Sequence, residues 1–155
     1  MHDLAPVLIS VIIPCKNCSP FLDECLSSVL AQREYVDPKF IEVSVFYDGS
    51  EDESLAIVRS WKERFEELEF SFALSGQKES RGCGFARNRA VSQSHGRYLC
   101  FLDSDDIMRP ERCAAQLSEC WEQPSEQVQD CHQLLLKNIH YMDGWMNEIM
   151  SSVMV

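Results

Sequence analysis

Residues 8–13, Leu-Ile-Ser-Val-Ile-Ile, form an almost unbroken apolar run that ends at Pro14. A run of this kind, without polar alternation, reads as a strand covered on both faces, the situation of a parallel sheet flanked by helices. The following segments fit that frame. Ser19 before Pro20 suggests an N-cap with proline at the first helical position, and Phe21, Leu22, Cys25, Leu26, Val29 and Leu30 recur at helical spacing. Residues 41–46 give a second strand ending at Tyr47-Asp48-Gly49-Ser50. Ser50 with Glu53 matches a capping box, after which Leu55, Val58, Trp61, Phe65 and Leu68 form a helical stripe.

Residues 70–74 read as a short third strand, residues 75–84 as a polar loop and residues 85–94 as a helix. Residues 98–102 form a fourth strand, and Pro110 opens a helix carrying Cys113, Leu117 and Trp121. The order βαβαβ, then αβα, implies an α/β fold: a Rossmann-like, doubly wound layer with a mostly parallel sheet and helices on both faces. Pro124-Ser125-Glu126 breaks the last helix, and residues 123–155, with Leu134-Leu135-Leu136 and Trp145, read as a helical tail of unassigned role. Its apolar side chains make it a candidate surface for a protein partner.

Composition narrows the function. With 14 Lys and Arg against 25 Asp and Glu, the net charge is −11, which disfavours nucleic acid and anionic membranes as general partners. A phosphorylated ligand must then be held locally by a metal, a few cations or helix N-termini. No apolar stretch approaches the ~20 residues of a membrane span, and Met1-His2-Asp3 lacks the positive start of a signal peptide. Cys25, Cys100, Cys113 and Cys120, four of eight cysteines, fall on apolar positions, as free thiols do. The expected setting is reducing and cytoplasmic.

The chemistry concentrates where strands end. Asp103, Asp105 and Asp106 follow the fourth strand within four residues. Three carboxylates about 4 Å apart repel by roughly 4 kcal/mol per pair at an effective dielectric of 20, so water or a cation must compensate. Asp103 and Asp105 suit a hard divalent ion that bridges a diphosphate, with Asp106 beside them. Open parallel sheets bind ligands beyond the carboxyl ends of their strands. Pro14-Cys15-Lys16-Asn17 and Asp48-Gly49-Ser50 lie at two more such ends. Asp48 suits a base N–H or ribose hydroxyl, Lys16 a phosphate, and Arg81, Arg87 and Arg89 precede the fourth strand, where guanidinium groups can meet phosphate oxygens.

These motifs resemble the family 2 glycosyltransferases of GT-A fold. Residues 10–17, SVIIPCKN, look like the family's SVIIPxxN opening; YDGS at 47–50 its DDGS; ARN at 86–88 its ARN; and FLDSDD at 101–106 its FLDSDD. The resemblance runs from Leu8 to Leu117. It implies a donor-binding domain over residues 1–122, a UDP-sugar donor, Mn or Mg as cofactor, and transfer to an acceptor hydroxyl with inversion. It also implies a nucleotide-sugar site at Pro14, Lys16, Asn17, Asp48, Ser50, Arg81, Arg87, Asn88, Asp103 and Ser104, with Asp103 and Asp105 on the metal. Tyr47 departs from the pattern by replacing the first Asp of DDGS. The acceptor half and its carboxylate base have no match here, so weak or absent transfer is expected. Asp143 or Glu148, in the unmatched tail, would serve as a base only by accident of folding.

Three other readings compete. A phosphatase of the haloacid dehalogenase kind also uses Asp-x-Asp after a strand, but there the motif opens the domain, and Ile107 stands where that motif has Thr or Val. Cys15-x-x-Cys18 with Cys131, His132 and His140 offers a zinc module, although one C-x-x-C is a weak signal. The third is a purely partner-binding role for the tail.

Overall fold

The computed structural model describes residues 7–122. Four parallel strands, β1 (Ile9–Cys15), β2 (Ile41–Asp48), β3 (Ser71–Gln77) and β4 (Tyr98–Phe101), form one sheet in the order β3-β2-β1-β4. Four helices alternate with them: α1 (Leu22–Leu30), α2 (Ser54–Glu67), α3 (Cys83–Gln93) and α4 (Arg112–Glu122). The expected Rossmann-like layer is therefore present. β1 is central, hydrogen-bonded to β2 on one side and β4 on the other, and every one of its residues is buried.

Side-chain alternation divides the sheet into two cores. Ile9, Val11, Ile13 and Cys15 of β1 pack with α1, α2 and α4 through Leu22, Leu26, Val58, Phe65 and Cys113. Ile12 points the other way, where it meets Phe46, Leu99 and the small residues Ala86 and Ala90 of α3. Small residues let α3 lie close to the strands. On that same face Glu42, itself buried, accepts hydrogen bonds from Ser10 Oγ and the His95 backbone N–H and pairs with His95 Nδ1, tying the approach to β4 onto the sheet.

Several local expectations are revised. α1 begins at Leu22, with Ser19 and Pro20 in the preceding turn, and no side chain caps it. Ser50 does not form a capping box with Glu53: its Oγ accepts from the Asn17 N–H at 2.9 Å, and Asp52 instead accepts from the Ser54 N–H at 3.0 Å. β3 runs three residues past the expected end at Leu74, to Gln77. The extension is possible because Gly76 pairs with Tyr47; a Cβ there would lie 2.5 Å from the Tyr47 carbonyl oxygen and 2.7 Å from its Cβ. Pro110 precedes α4, which starts two residues later at Arg112.

One buried polar side chain ties α1 to the acidic loop. Gln32, fully buried just beyond α1, donates through Nε2 to the Arg109 carbonyl at 2.7 Å and accepts through Oε1 from the Cys113 N–H at 2.9 Å. Ser28 Oγ accepts from the Met108 N–H at 3.0 Å. Together these bonds set where the chain returns after Asp106. Gln32→Ala leaves a buried donor and acceptor without partners and is expected to destabilise the fold by about 1–3 kcal/mol. Gly76→Ala, which drives a methyl group into the Tyr47 backbone, is expected to cost about as much. Urea unfolding of the two variants against the parent chain measures both.

Candidate functional site

The carboxyl ends of β1, β2 and β4 open onto one cleft of about 340 Å³, lined among others by Pro14, Lys16, Asn17, Asp48, Asp103, Ser104 and Asp105. Seven of the eleven residues expected at the nucleotide-sugar and metal positions thus share one wall or floor, with Phe21, Cys83 and Ala86 adding an apolar side. Ser50 stands behind that wall, holding the Asn17 backbone. Arg87 projects from α3 to Asp103, Nη2 to Oδ1 at 2.8 Å. Arg81 contributes its backbone N–H rather than its guanidinium, which stacks over Phe85 at 4.4 Å. Asn88 is exposed on α3, its carbonyl accepting from Ser92 Oγ, and Arg89 lies over Phe46.

Asp48 is the best-connected side chain of the site. Its Oδ1 accepts from Gln77 Nε2 at 2.8 Å and its Oδ2 from Ser80 Oγ at 2.8 Å and the Gly82 N–H at 2.9 Å, while the Arg81 N–H approaches both oxygens. Burial works against ionisation, but the donors from Arg81, Ser80, Gln77 and Gly82 outweigh it and hold the carboxyl below its ordinary range. The carboxylate therefore gathers residues 77–82 against the end of β2. Lys16 Nζ joins the same group by donating to Ser80 Oγ at 2.8 Å. Gly49, at φ 66°, is required here because a Cβ would lie 2.5 Å from the Lys78 carbonyl oxygen. Sequence reasoning missed Ser80 and Gln77, which sit in the stretch read as plain loop; nothing local marks them as partners of a residue some 30 positions earlier.

The turn after β1 is anchored to the start of α2. Asn17, at φ 48°, accepts from the Glu51 N–H through Oδ1, and Asp52 accepts from the Ser19 N–H at 3.0 Å. Desolvation opposes ionisation of Asp52, but hydrogen bonds from Ser54 and Ser19 dominate and bring it down to about 2. Tyr47 turns away from the cleft, its hydroxyl donating to the Ser50 carbonyl at 2.5 Å. The substitution in the YDGS motif is thus accommodated outside the cleft.

Asp103, Asp105 and Asp106 are all exposed, and the chain turns between the first and last through an Asp106 N–H to Asp103 carbonyl bond of 3.0 Å. Water and Arg87 relieve their repulsion. Asp103 and Asp105 line the cleft and Asp106 does not. Among the described residues no group of three or more His, Cys, Asp or Glu side chains is placed to hold a metal alone. Two hard carboxylates beside a phosphate-sized space nevertheless fit a Mg-type ion, which takes one or two carboxylates and completes its shell with water and substrate phosphates. Cys15 and Cys18 also line the cleft, Sγ to Sγ at 3.0 Å. The Cys131, His132 and His140 partners of a zinc reading lie outside the described residues, as do Asp143 and Glu148. Among the described residues no helix is long and apolar enough to cross a membrane.

The depressed carboxyls give a pH signature. A carboxyl whose folded pKa lies below its unfolded value, about 3.9 for Asp, stabilises the fold above that value, and the contribution is lost as pH falls through the folded pKa. Stability is therefore expected to decline between about pH 4 and pH 2 through Asp48 and Asp52. Asp52→Asn should lower stability at neutral pH and flatten that decline, as read by urea midpoints across the range.

Comparison with known proteins bears on the family and the fold. The family model described as glycosyl transferase family 2 matches residues 10–132. The chondroitin synthase of Escherichia coli is 33% identical over 112 residues, 72% of this chain and 15% of the synthase. Staphylococcus aureus TarS, solved in complex with UDP and also with UDP-GlcNAc, superposes on 75% of this chain and 32% of its own, with a TM-score of 0.66 and 29% identity for the UDP complex. A mannosyltransferase from Pyrobaculum calidifontis in complex with GDP-Man and Mn2+ covers 76% of this chain and 35% of its own, with a TM-score of 0.65 and 27% identity. The chain spans about a third or less of the length of these proteins. With a family model covering most of its length and a GT-A layer matching theirs, the chain belongs to glycosyl transferase family 2.

Proposed function

We propose that this chain binds a UDP-sugar together with a divalent cation, as the donor-handling part of an inverting glycosyltransferase. The observation that carries the reading is the charge of the cleft. Three carboxylates, Asp48, Asp103 and Asp105, line it against the single lysine Lys16, with Arg87 spent on Asp103. A diphosphate brings further negative charge into that space, and only a cation entering with it makes the site neutral enough to hold it. The TarS and mannosyltransferase complexes support a nucleotide-sugar in this position, and the Mn2+ of the latter supports the ion.

Each residue then has a task. Asp103 and Asp105 would hold Mn or Mg, which supplies charge compensation to the diphosphate as it leaves. Lys16, Asn17 and Ser104 orient phosphate and sugar oxygens from the floor, while Arg87 bridges Asp103 to the ligand. Asp48 keeps residues 77–82 in place; a uracil N–H or ribose hydroxyl reaches its carboxylate by displacing the Ser80 or Gln77 side chain. Pro14 and Phe21 give the base an apolar wall. Ser50 and Arg81 act through the backbone they position, and Asn88 through α3. The reaction proposed is a single displacement in which an acceptor hydroxyl, deprotonated by a carboxylate, attacks C1 of the sugar. No base is assigned among the residues matched to the family's motifs, so donor binding with weak or absent transfer is the function proposed for this chain. The alternative is a non-catalytic nucleotide-sugar-binding or partner-binding role.

Within the family, the motif set reads as most similar to the beta-1,3-N-acetylglucosaminyltransferase-like protein 1, which makes UDP-GlcNAc the first donor to test. The setting proposed is the reducing cytoplasm, in keeping with the free thiols of the seven described cysteines. Nucleic acid is not a proposed partner. The acceptor is a glycan or other hydroxyl, and residues 123–155 are the proposed contact for a protein partner.

Isothermal titration of UDP and UDP-GlcNAc in the presence of Mn tests the site. Asp105→Asn and Asp103→Asn are expected to weaken Mn-dependent binding about tenfold or more, roughly 1.4 kcal/mol. As exposed residues they should leave the free energy of urea unfolding within about 0.5 kcal/mol of the parent. Unchanged affinity in both variants would remove the carboxylates from the site. Rapid transfer from radiolabelled UDP-sugars to an acceptor panel would replace the binding role with a catalytic one.

A further inference from the structure

The cleft contains a pair of thiols that donor binding does not require. Cys15 ends β1 and Cys18 begins the turn into α1, and the two residues between them are Lys16 and Asn17, both in the cleft lining. The sulfurs lie 3.0 Å apart, both residues border the cleft, and both are almost fully buried, at 1% and 4% exposure. Cys18 is fixed from behind, its N–H donating to Ser54 Oγ at 3.0 Å and its carbonyl accepting from the Phe21 and Leu22 N–H groups. This separation is shorter than a tetrahedral zinc site with Zn–S bonds of about 2.3 Å allows, since its sulfurs stand about 3.8 Å apart. It is close to what bond formation between the sulfurs needs.

We propose that Cys15 and Cys18 form a reversible dithiol–disulfide pair, oxidised by peroxide reaching it through the cleft, and that a bound nucleotide-sugar covers it. The redox half stands on the thiol geometry alone; the coupling to the donor rests on the reading of the cleft given above. Cys18 is the attacking sulfur. Its hydrogen bond from Cys15, more than its burial, sets its acidity and brings its thiol down to about 6, with Ser104 and Ser54 assisting, while Cys15 is pushed up by that same bond. The Cys18 thiolate attacks one oxygen of hydrogen peroxide, the O–O bond breaks, and hydroxide leaves, giving a sulfenic acid. The Cys15 sulfur then attacks the Cys18 sulfur, the S–O bond breaks, and the Cys15 proton leaves with the hydroxyl as water. The hydroxide takes up the proton that Cys18 released on ionising, so the two sulfurs lose two electrons and one peroxide becomes two waters. Two equivalents of a small thiol, or one dithiol, restore both cysteines by exchange and leave as their own disulfide.

Oxidation ties the end of β1 to the turn before α1 across Lys16 and Asn17, two of the residues assigned above to phosphate and sugar oxygens. A second thiol pair, Cys100 and Cys113, is hydrogen-bonded in the core between β4 and α4 and does not line the cleft. It serves as the internal control. Peroxide treatment of the full chain, alkylation and trypsin digestion decide the matter, because trypsin cuts after Lys16 and separates the two cysteines. The expected result is a pair of tryptic peptides joined through Cys15 and Cys18 until dithiothreitol is added. UDP with Mn at about ten times Kd should slow their formation about tenfold, the open fraction being 1/(1 + [L]/Kd). Full alkylation of both cysteines, sulfinic acid on Cys18 without a link, or a link confined to Cys100 and Cys113 would overturn the proposal. So would an unchanged rate in UDP and Mn when titration shows that both bind. Titration showing no binding would overturn the donor reading and its coupling, while the joined peptides would still establish the redox pair.

Discussion

Complete burial of β1 is the constraint on which the molecule rests. A strand with every residue covered must be paired on both edges and packed on both faces, and β2, β4, α3 and the α1–α2–α4 layer supply those partners. Parallel pairing then sends the ends of β1, β2 and β4 out on the same side. Groups that the core cannot accept, Lys16, Asn17, Asp48 and the aspartates after β4, are collected at one edge. The site is in this sense a consequence of the core, because the strands keep within them only polar groups that pair with one another, such as Ser10 and Glu42, and deliver the rest to their ends.

At that edge the second organising force is electrostatic. Asp48 resolves its own burial by recruiting donors from residues 77–82, which turns a charge into a structural hub. Asp103 and Asp105 do the opposite: they remain exposed, and among the described residues Arg87 alone pairs with Asp103. The difference assigns them different work. Asp48 has little free capacity and shapes the wall, whereas the later pair keeps lone pairs available for a cation. The carboxylates that define the family motif are thus unequal: Asp48 takes a ligand group only by giving up a protein donor, while Asp103 and Asp105 stand exposed to an incoming cation.

Much of this was legible in the sequence, and the parts that were not share a cause. Strand and helix order follows from short-range pattern: the β-branched run of residues 8–13, the stripe from Leu55 to Leu68, and polar breaks between them. The convergence of Pro14, Asp48 and Asp103 follows from the rule for parallel sheets. What pattern does not reveal is who bonds to whom across the fold. Ser50 and Glu53 look like a capping box, yet Ser50 is drawn to Asn17 and Asp52 takes the Ser54 N–H, because the turn after β1 competes for the same groups. Gln32 reads as an ordinary polar residue after a helix, and only the return of the chain at Arg109 and Cys113 explains its burial. β3 outruns its apolar segment because Gly76 finds Tyr47 opposite it, a pairing between distant strands.

The central claim is that the cleft takes a uridine diphosphate and a divalent cation together, neither satisfying the site alone. Thermal unfolding with UDP, with Mn, and with both measures that directly, because a ligand that binds only the folded state stabilises it by RT ln(1 + [L]/Kd), about 2.7 kcal/mol at a hundredfold excess over Kd. The account requires a rise of several degrees in Tm with UDP and Mn together, larger than the sum of the separate effects. An unchanged Tm with both at high concentration, or a rise with UDP that is indifferent to Mn, would contradict it.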